Sequence, residues 1–142
     1  MTISDVPIND LITKTAEQLK KDNAVKPPVW AFYAKTGVHK ERPPADNEWW
    51  YVRSAAVLRS VWKLGPIGVA KLKKKYGGRK NRGHKPDRYK EGSGSVLRKV
   101  LQQLEKSQLV KKVEVAGRKG RVITGKGQSM LDKAAITLKK KQ

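Results

Sequence analysis

The feature that most constrains the fold is the stretch 47–64, which is apolar on nearly all sides when it is drawn as a helix. Tyr51, Leu58 and Trp62 recur at helical spacing on one face. Trp49 lies on the opposite face, beside basic residues. Because a helix that is apolar nearly all round is normally covered on more than one side, we predict that this stretch is the central helix of the fold.

The strongest signal of function is the charge, since 33 Lys and Arg against 12 Asp and Glu give the 142 residues a net charge of +21. Such an excess repels itself in a compact state, so a polyanionic partner is predicted, and nucleic acid is favoured. An anionic membrane is disfavoured because we find no long apolar run, signal peptide or lipidation motif. The chain lacks cysteine, and its two histidines, His39 and His84, lie in different predicted loops, so no metal and no cofactor is predicted.

Helical periodicity on both sides of the central helix predicts a mainly α fold with one small β-hairpin. The change from a period of 3.6 to a period of two after residue 109 locates that hairpin. The predicted single domain spans 1–142. Its elements are an N-terminal helix at about 6–22, an aromatic and proline-rich segment at 25–46, the central helix at 47–64 with Asn47 as its cap, a second helix at 66–76, a basic loop at 77–94, a third helix at 95–108 capped by Ser93 or Ser95, the hairpin at 110–124 and a C-terminal helix at 126–138.

The order helix, helix, helix, hairpin, helix is that of a winged helix-turn-helix domain. In this interpretation the residues that follow the third helix form the wing. The architecture by itself supports nucleic-acid binding only as an analogy, because one fold can host many functions.

The segment at 25–46 contains three aromatics within four residues, Trp30, Phe32 and Tyr33. These side chains could stack on bases, or they could pack against the tryptophans that begin the central helix. We favour packing.

The basic loop and the helix before it contain the densest positive charge. Residues 71–90 hold ten Lys and Arg and one acid, Asp87. Guanidinium groups can grip phosphate oxygens in pairs, glycines let a ligand approach the backbone, and Tyr89 is available to stack. A merely solvated charge run is the alternative, but glycine and arginine alternate here instead of forming a lysine tail. We predict a mobile loop that becomes ordered on RNA.

Arg53 and Arg59 are predicted to contact phosphate for a different reason. They lie on an otherwise apolar helix, where an unpaired charge is costly. The alternative is that their guanidinium groups reach solvent at the rim of the helix.

A P-loop-like run at 120–126 does not predict nucleotide hydrolysis. Gly127 occupies the position at which a P-loop needs Ser or Thr to hold magnesium, and the run lies between hairpin and helix. With no acid pair and no Ser/His/Asp set in view, we predict that the protein is not an enzyme.

Several motifs resemble the small-subunit ribosomal protein nineteen family of archaea and eukaryotes. They are WYVRSAA at 50–56, LR at 58–59, GPIGV at 65–69, YGGR at 76–79 and SGSVLRKVLQQLE at 93–105, and Gly117, Arg118, Thr124, Gly127, Leu131 and Asp132 extend the match. The resemblance implies an rRNA-binding protein in the head of the small subunit, with a part in assembly or rRNA maturation. Abundant lysine and absent cysteine favour an archaeal member.

The predicted rRNA-binding residues combine the charge argument with the resemblance, which implies a surface built on the central helix and the YGGR loop. They are Arg53, Arg59, Lys73, Lys74, Lys75, Arg79, Lys80, Arg82, Lys85, Arg88, Arg98 and Lys99, with possible wing contacts from Arg118, Lys119 and Arg121.

The expected partners are small-subunit rRNA and neighbouring ribosomal proteins, with no membrane. The expected location is ribosome-bound in the cytoplasm, and the protein is expected to be monomeric away from the ribosome. The alternative function is a winged-helix DNA-binding regulator, which would read bases through its third helix. That helix carries few outward basic residues, and the charge lies in the loop before it.

Overall fold

A computed structural model describes residues 3–139, which form five α-helices and two antiparallel β-hairpins. The predicted mainly α, winged-helix-like class is confirmed, with one hairpin more than expected. The elements are α1 (Ile8–Lys21), α2 (Trp49–Leu64), α3 (Val69–Lys75), β1 (Gly78–Arg82), β2 (Lys85–Lys90), α4 (Gly94–Lys106), β3 (Val110–Val115), β4 (Arg118–Ile123) and α5 (Gly125–Lys139), with short 3-10 helices at Ile3–Asp5 and Val29–Phe32.

Helix α2 occupies the centre of the core, as its apolar circumference predicts. Helices α1, α4 and α5 and strand β4 all pack against it. Trp50 and Leu58 are fully buried, and Trp49 on the opposite face is nearly so. Trp62 is only half-buried, at the edge of the core. Among the described residues, no helix is both long and apolar enough to cross a membrane.

The beginning of the central helix differs from the prediction. The helix starts at Trp49, and the carboxylate Oδ1 of Asp46 accepts a hydrogen bond from the backbone N–H of Glu48 at 2.8 Å. Asp46 therefore accepts the side-chain hydrogen bond that was expected of Asn47. The reason is that a turn formed by Asp46 precedes the helix. At α4 the cap is Ser93, whose hydroxyl accepts from the N–H of Val96 at 3.4 Å.

Helix α3 is shorter than the predicted 66–76 because its first residues pair with the wing. The N–H of Ile67 donates to the carbonyl of Arg121 at 3.1 Å, and the N–H of Arg121 donates back at 3.0 Å. Backbone that is committed to this bridge is extended, so α3 begins only at Val69. The bridge fixes hairpin β3–β4 against the turn between α2 and α3.

The basic segment 77–94 is not the irregular loop that was predicted. Most of it forms hairpin β1–β2, in which Gly78 pairs with Lys90 and Lys80 with Arg88. The strands expose polar side chains on both faces, so they lack the alternation that identifies a half-buried strand. The register shifts where Asn81 of β1 lies opposite Pro86 and Asp87 of β2, and Gly83 turns the chain with a φ of 74°. The prediction of an irregular loop was therefore wrong, while the mobility expected of this segment without RNA stays a prediction.

Gly127, the residue that breaks the P-loop-like run, is a packing residue. It is buried at the start of α5, where a Cβ atom would collide with the backbone carbonyl of Leu109 and approach Ile123. The N–H of Thr124 donates to that same carbonyl at 3.1 Å. The glycine thus allows α5 to lie close against the start of the wing.

Candidate nucleic-acid interface

Three cations from α2 and α3 meet around the ring of Tyr76. The guanidinium of Arg53 lies 4.5 Å from the ring centroid, and the Nζ of Lys75 lies 6.0 Å from it. The Lys75 ammonium donates to the Oγ of Ser60 at 2.7 Å, and that oxygen lies 3.1 Å from the Tyr76 hydroxyl. Arg59 lies close enough for its charge to act on both Lys75 and Tyr76. We call Arg53, Arg59, Lys75 and Tyr76 the Tyr76 cluster.

The Tyr76 cluster carries positive charge that no acid of the described part of the chain neutralises. Arg53, Arg59 and Lys75 take part in no ion pair there. The buried Nε of Arg59 has no hydrogen-bond partner within residues 3–139. Burial lowers the pKa of the Lys75 ammonium, and the charges of Arg59 and Lys63 lower that pKa further. Cations that repel one another at a half-buried site favour a bound anion.

Burial also shifts the other groups of this cluster. It lowers the pKa of the Arg53 guanidinium, an effect that Tyr76 partly opposes. Burial raises the pKa of the Tyr76 hydroxyl, while Ser60 and the two arginines oppose the rise. The tyrosine therefore stays neutral and provides a ring face for Arg53 rather than a counter-charge.

Hairpin β1–β2 places like charges directly opposite each other. Lys80 faces Arg88 across the two strands, and Arg82 faces Lys85. Like charges in directly opposed positions destabilise a strand pair. Within the described residues no ion pair joins any of the four to an acid, although Asp87 lies on the same strand as Arg88. An anion lying along the hairpin would relieve the repulsion of both pairs.

Contacts to two other parts of the chain, α3 and Val38, hold the hairpin and the residue that follows it. The Tyr89 hydroxyl donates to the backbone carbonyl of Lys74 in α3. The Nζ of Lys80 donates to the carbonyl of Val38 at 2.9 Å, and the N–H of Gly92 donates to the carbonyl of Lys73 at 3.0 Å. Tyr89 was predicted to be available for stacking, but this hydrogen bond ties its hydroxyl to α3.

His39 connects the hairpin base with the Tyr76 cluster. Its ring packs between Gly37 and Gly78, where a Cβ atom on either glycine would collide with it. Burial lowers the pKa of the His39 imidazole, followed by the charges of Lys40, Arg53 and Lys80. Because Arg53 and Lys80 act on the same ring, the cluster and the hairpin form one continuous basic surface.

The remaining predicted residues divide into exposed and engaged groups. Arg79, Lys74, Arg98 and Lys99 are exposed, the last two on the outer face of α4. Lys73 is engaged instead, since its Nζ lies 2.7 Å from the carboxylate of Glu91.

The wing residues are also divided. Ala116 and Gly117 both have positive φ, which forms a two-residue turn. Arg118 and Lys119 follow this turn and are exposed. Arg121 was expected to be exposed as well, but its side chain is only 16% exposed, and its Nε lies 3.5 Å from the carboxylate of Glu105. The difference arises because Arg121 lies inside β4, at its bridge to Ile67.

The three aromatics of the segment 25–46 do not share one environment. Trp30 packs edge-on against Trp50, with ring centroids 5.6 Å apart, as the packing interpretation predicts. Phe32 and Tyr33 are 59% and 80% exposed, so that interpretation was wrong for them. The 3-10 helix turns Ala31 into the core, which leaves its neighbours outside.

Sequence reasoning missed Ser60 and His39 as parts of this surface. His39 was considered only as a metal ligand, and Ser60 was assigned no functional role. Each has its partners far away in the chain, so no local pattern identifies either one.

Comparison with known proteins assigns the family. The chain is 52% identical to the small ribosomal subunit protein eS19 of the archaeon Aeropyrum pernix over 92% of this chain and 85% of that protein. It is 41% identical to the eS19A protein of Schizosaccharomyces pombe (97% and 94%) and 39% identical to the eS19 protein of Myxine glutinosa (99% and 97%). The model of the family described as Ribosomal protein S19e matches residues 2–141. The chain therefore belongs to the ribosomal protein S19e family.

Proposed function

We propose that this protein is a structural, rRNA-binding component of the small ribosomal subunit. The observation that carries the proposal is the two pairs of opposed cations on hairpin β1–β2, Lys80 with Arg88 and Arg82 with Lys85. None of the four forms an ion pair with an acid of the described residues. Such repulsion is tolerated where a polyanion completes the surface. The names of the relatives, each a small ribosomal subunit protein, support RNA of that subunit as the polyanion.

The proposed rRNA-facing surface runs from the Tyr76 cluster over the hairpin to α4. Its members are Arg53, Arg59, Lys74, Lys75, Arg79, Lys80, Arg82, Lys85, Arg88, Arg98 and Lys99, with Arg118 and Lys119 at the wing tip. Lys73 and Arg121 take secondary roles, because each already holds a carboxylate.

The finer parts of the proposal concern place and partners. We infer a position in the head of the subunit and a contribution to its assembly or to rRNA maturation. The chain acts as one domain without catalytic activity, bound to ribosomes in the cytoplasm beside other ribosomal proteins, and it is monomeric away from them. The identity of 52% to the Aeropyrum pernix protein supports an archaeal source.

A DNA-binding regulator is the less favoured function. Such a domain presents its third helix to base edges. Here α4 offers Arg98 and Lys99 on its outer face, whereas the opposed charges lie on the hairpin before it. A surface in which charge dominates and base-reading side chains are few fits a phosphate backbone.

Sedimentation of a cell lysate tests the proposal. The tagged chain is expected to co-sediment with the small subunit at low salt and to be released as salt rises, because counterions compete for phosphate contacts. Nuclease treatment that digests DNA and spares RNA should leave the distribution unchanged. Recovery in the DNA-bound fraction, or in the free fraction at every salt concentration, would contradict the proposed function.

A further inference from the structure

The segment Val29–Tyr33 forms an exposed aromatic surface that the fold holds in place. Val29 and Tyr33 are each 80% exposed, Phe32 is 59% exposed and Trp30 is 38% exposed. Soluble proteins rarely expose apolar side chains in a contiguous patch, and such a patch normally marks a binding site. We call Trp30, Phe32 and Tyr33 the aromatic platform.

The platform is tied to the core from both sides. The carbonyl of Ala31 accepts a hydrogen bond from the Nε1 of Trp49 at 3.3 Å, and Gln103 in α4 donates to the carbonyl of Lys26 at 2.6 Å. The N–H of Ser93 donates to the carbonyl of Thr36 at 3.0 Å. These contacts present the rings without the entropy cost of ordering a free loop.

A groove of about 560 Å³ lies between α4 and Trp30, the one platform residue that lines it. Trp30 lines one side, and Ser95, Arg98, Lys99 and Gln102 line the other. Its volume falls within the roughly 300–1,000 Å³ of typical small-ligand sites. The groove therefore brings a ring and two cations together with neutral hydrogen-bonding groups.

The charges around the groove select an anionic occupant. The described residues that line the groove include Arg98 and Lys99 and no acid. A second copy of this strongly basic chain would be repelled there. Bases stack on aromatic rings irrespective of sequence, while arginine and lysine hold the phosphates. Duplex RNA keeps its bases stacked on one another, so only unpaired nucleotides can use the platform.

We propose that this groove binds an unpaired nucleotide, whose base stacks on Trp30 of the aromatic platform and whose phosphate lies at Arg98 and Lys99. The inference rests on the proposed function and adds a requirement for single-stranded RNA to it. The rest of the basic surface needs only phosphates.

The test uses two RNA stem-loops that differ only in the bases of an unpaired loop of about six nucleotides. One has all its loop bases, and in the other the loop is abasic, so both present the same phosphates. The full chain is expected to bind the intact loop about 5- to 150-fold more tightly, the range for stacking of one base. Trp30→Ala, which removes the ring that lines the groove, should remove most of that difference and leave binding of the abasic loop unchanged.

Trp30→Phe should restore most of the preference. Because Trp30 also packs on Trp50, Trp30→Leu, which keeps an apolar side chain there without an aromatic ring, decides the result if Trp30→Ala melts early. Phe32→Ala/Tyr33→Ala removes exposed rings that do not line the groove and should keep the preference. The matched control is Ile8→Ala, which removes an apolar side chain of similar exposure (50%) from α1.

Three outcomes would overturn the inference while the proposed function stands. They are equal binding of both stem-loops by the wild type, an equal loss for both in the folded Trp30 variant (Trp30→Ala or Trp30→Leu), and unchanged RNA binding by that variant together with poor recovery in small subunits. The last would identify the platform as a protein contact. Failure of both stem-loops to bind in a salt-sensitive way would contradict the proposed function itself.

Discussion

Trp50→Ala is expected to lower the free energy of unfolding by about 3–5 kcal/mol, the largest single-site loss of stability in this protein. Trp50 is fully buried and meets the rings of Trp30 and Trp49 edge-on. Its Nε1 also donates to the side chain of Gln103 at 2.9 Å. The total free energy of unfolding of a domain of this size is about 5–15 kcal/mol, so the variant should unfold near growth temperature.

Thermal melting and denaturant titration measure this loss. Trp50→Phe should lose less, since it keeps an apolar ring and gives up the hydrogen bond to Gln103. Val52→Ala, on the partly exposed side of the same helix, should change stability by less than about 1 kcal/mol. If Trp50→Ala lowers the free energy of unfolding by less than about 1 kcal/mol, the packing of the tryptophans does not stabilise the core.

Arg82→Ala/Lys85→Ala/Arg88→Ala is expected to lower the affinity for small-subunit rRNA about a thousandfold at low salt. Each charge-assisted hydrogen bond to phosphate contributes about 1.5 kcal/mol, or roughly tenfold, and the variant removes three. The slope of log affinity against log salt should become shallower by about 2–3, because each phosphate contact that is lost lowers the number of counterions released on binding. The melting temperature should not fall, because the opposed pairs repel each other.

The control removes the same charge from the opposite part of the fold. Lys21→Ala/Lys133→Ala/Lys139→Ala takes three exposed lysines from α1 and α5, outside the proposed surface. It should reduce affinity only through the long-range field, by less than about tenfold. Equal losses in the two variants would mean that total charge, and no localised site, governs binding.

The helical core could be predicted from the sequence because its signals are local. The period of 3.6 in α2 and α4 and the period of two after α4 follow from side chains a few residues apart. The winged-helix order follows from these periods. Where the structure differs, as at Asp46 or at the shortened α3, a turn or a distant strand competes with the helix.

Hairpin β1–β2 could not be predicted in this way. Its strands have no apolar face, so no alternation appears in their sequence. They are held by cross-strand backbone pairing and by Tyr89 and Lys80, whose partners Lys74 and Val38 lie 15 and 42 residues away. Tertiary contacts decide the structure here, and they override the composition typical of a loop.

The candidate site was partly visible in the sequence. A charge on an apolar helix is costly, and this argument identified Arg53 and Arg59 before their surroundings were known. It could not identify Ser60 and His39, which are ordinary residues that join the surface through long-range contacts. It also could not separate Lys73, which holds Glu91, from its neighbour Lys74.

The most direct test of the account compares Arg59→Ala with Leu58→Ala, its fully buried neighbour on α2. Each purified variant is melted, and its recovery in sedimented small subunits is then measured. Leu58→Ala should lose about 2–5 kcal/mol of stability and accumulate poorly. Arg59 has an unpartnered, buried Nε and acts on Lys75 and Tyr76 through its charge. Its replacement should therefore melt like the wild type yet be several-fold depleted from the subunits. Melting as low as that of Leu58→Ala, or full recovery in the subunits, would contradict the claim that these cations bind rRNA.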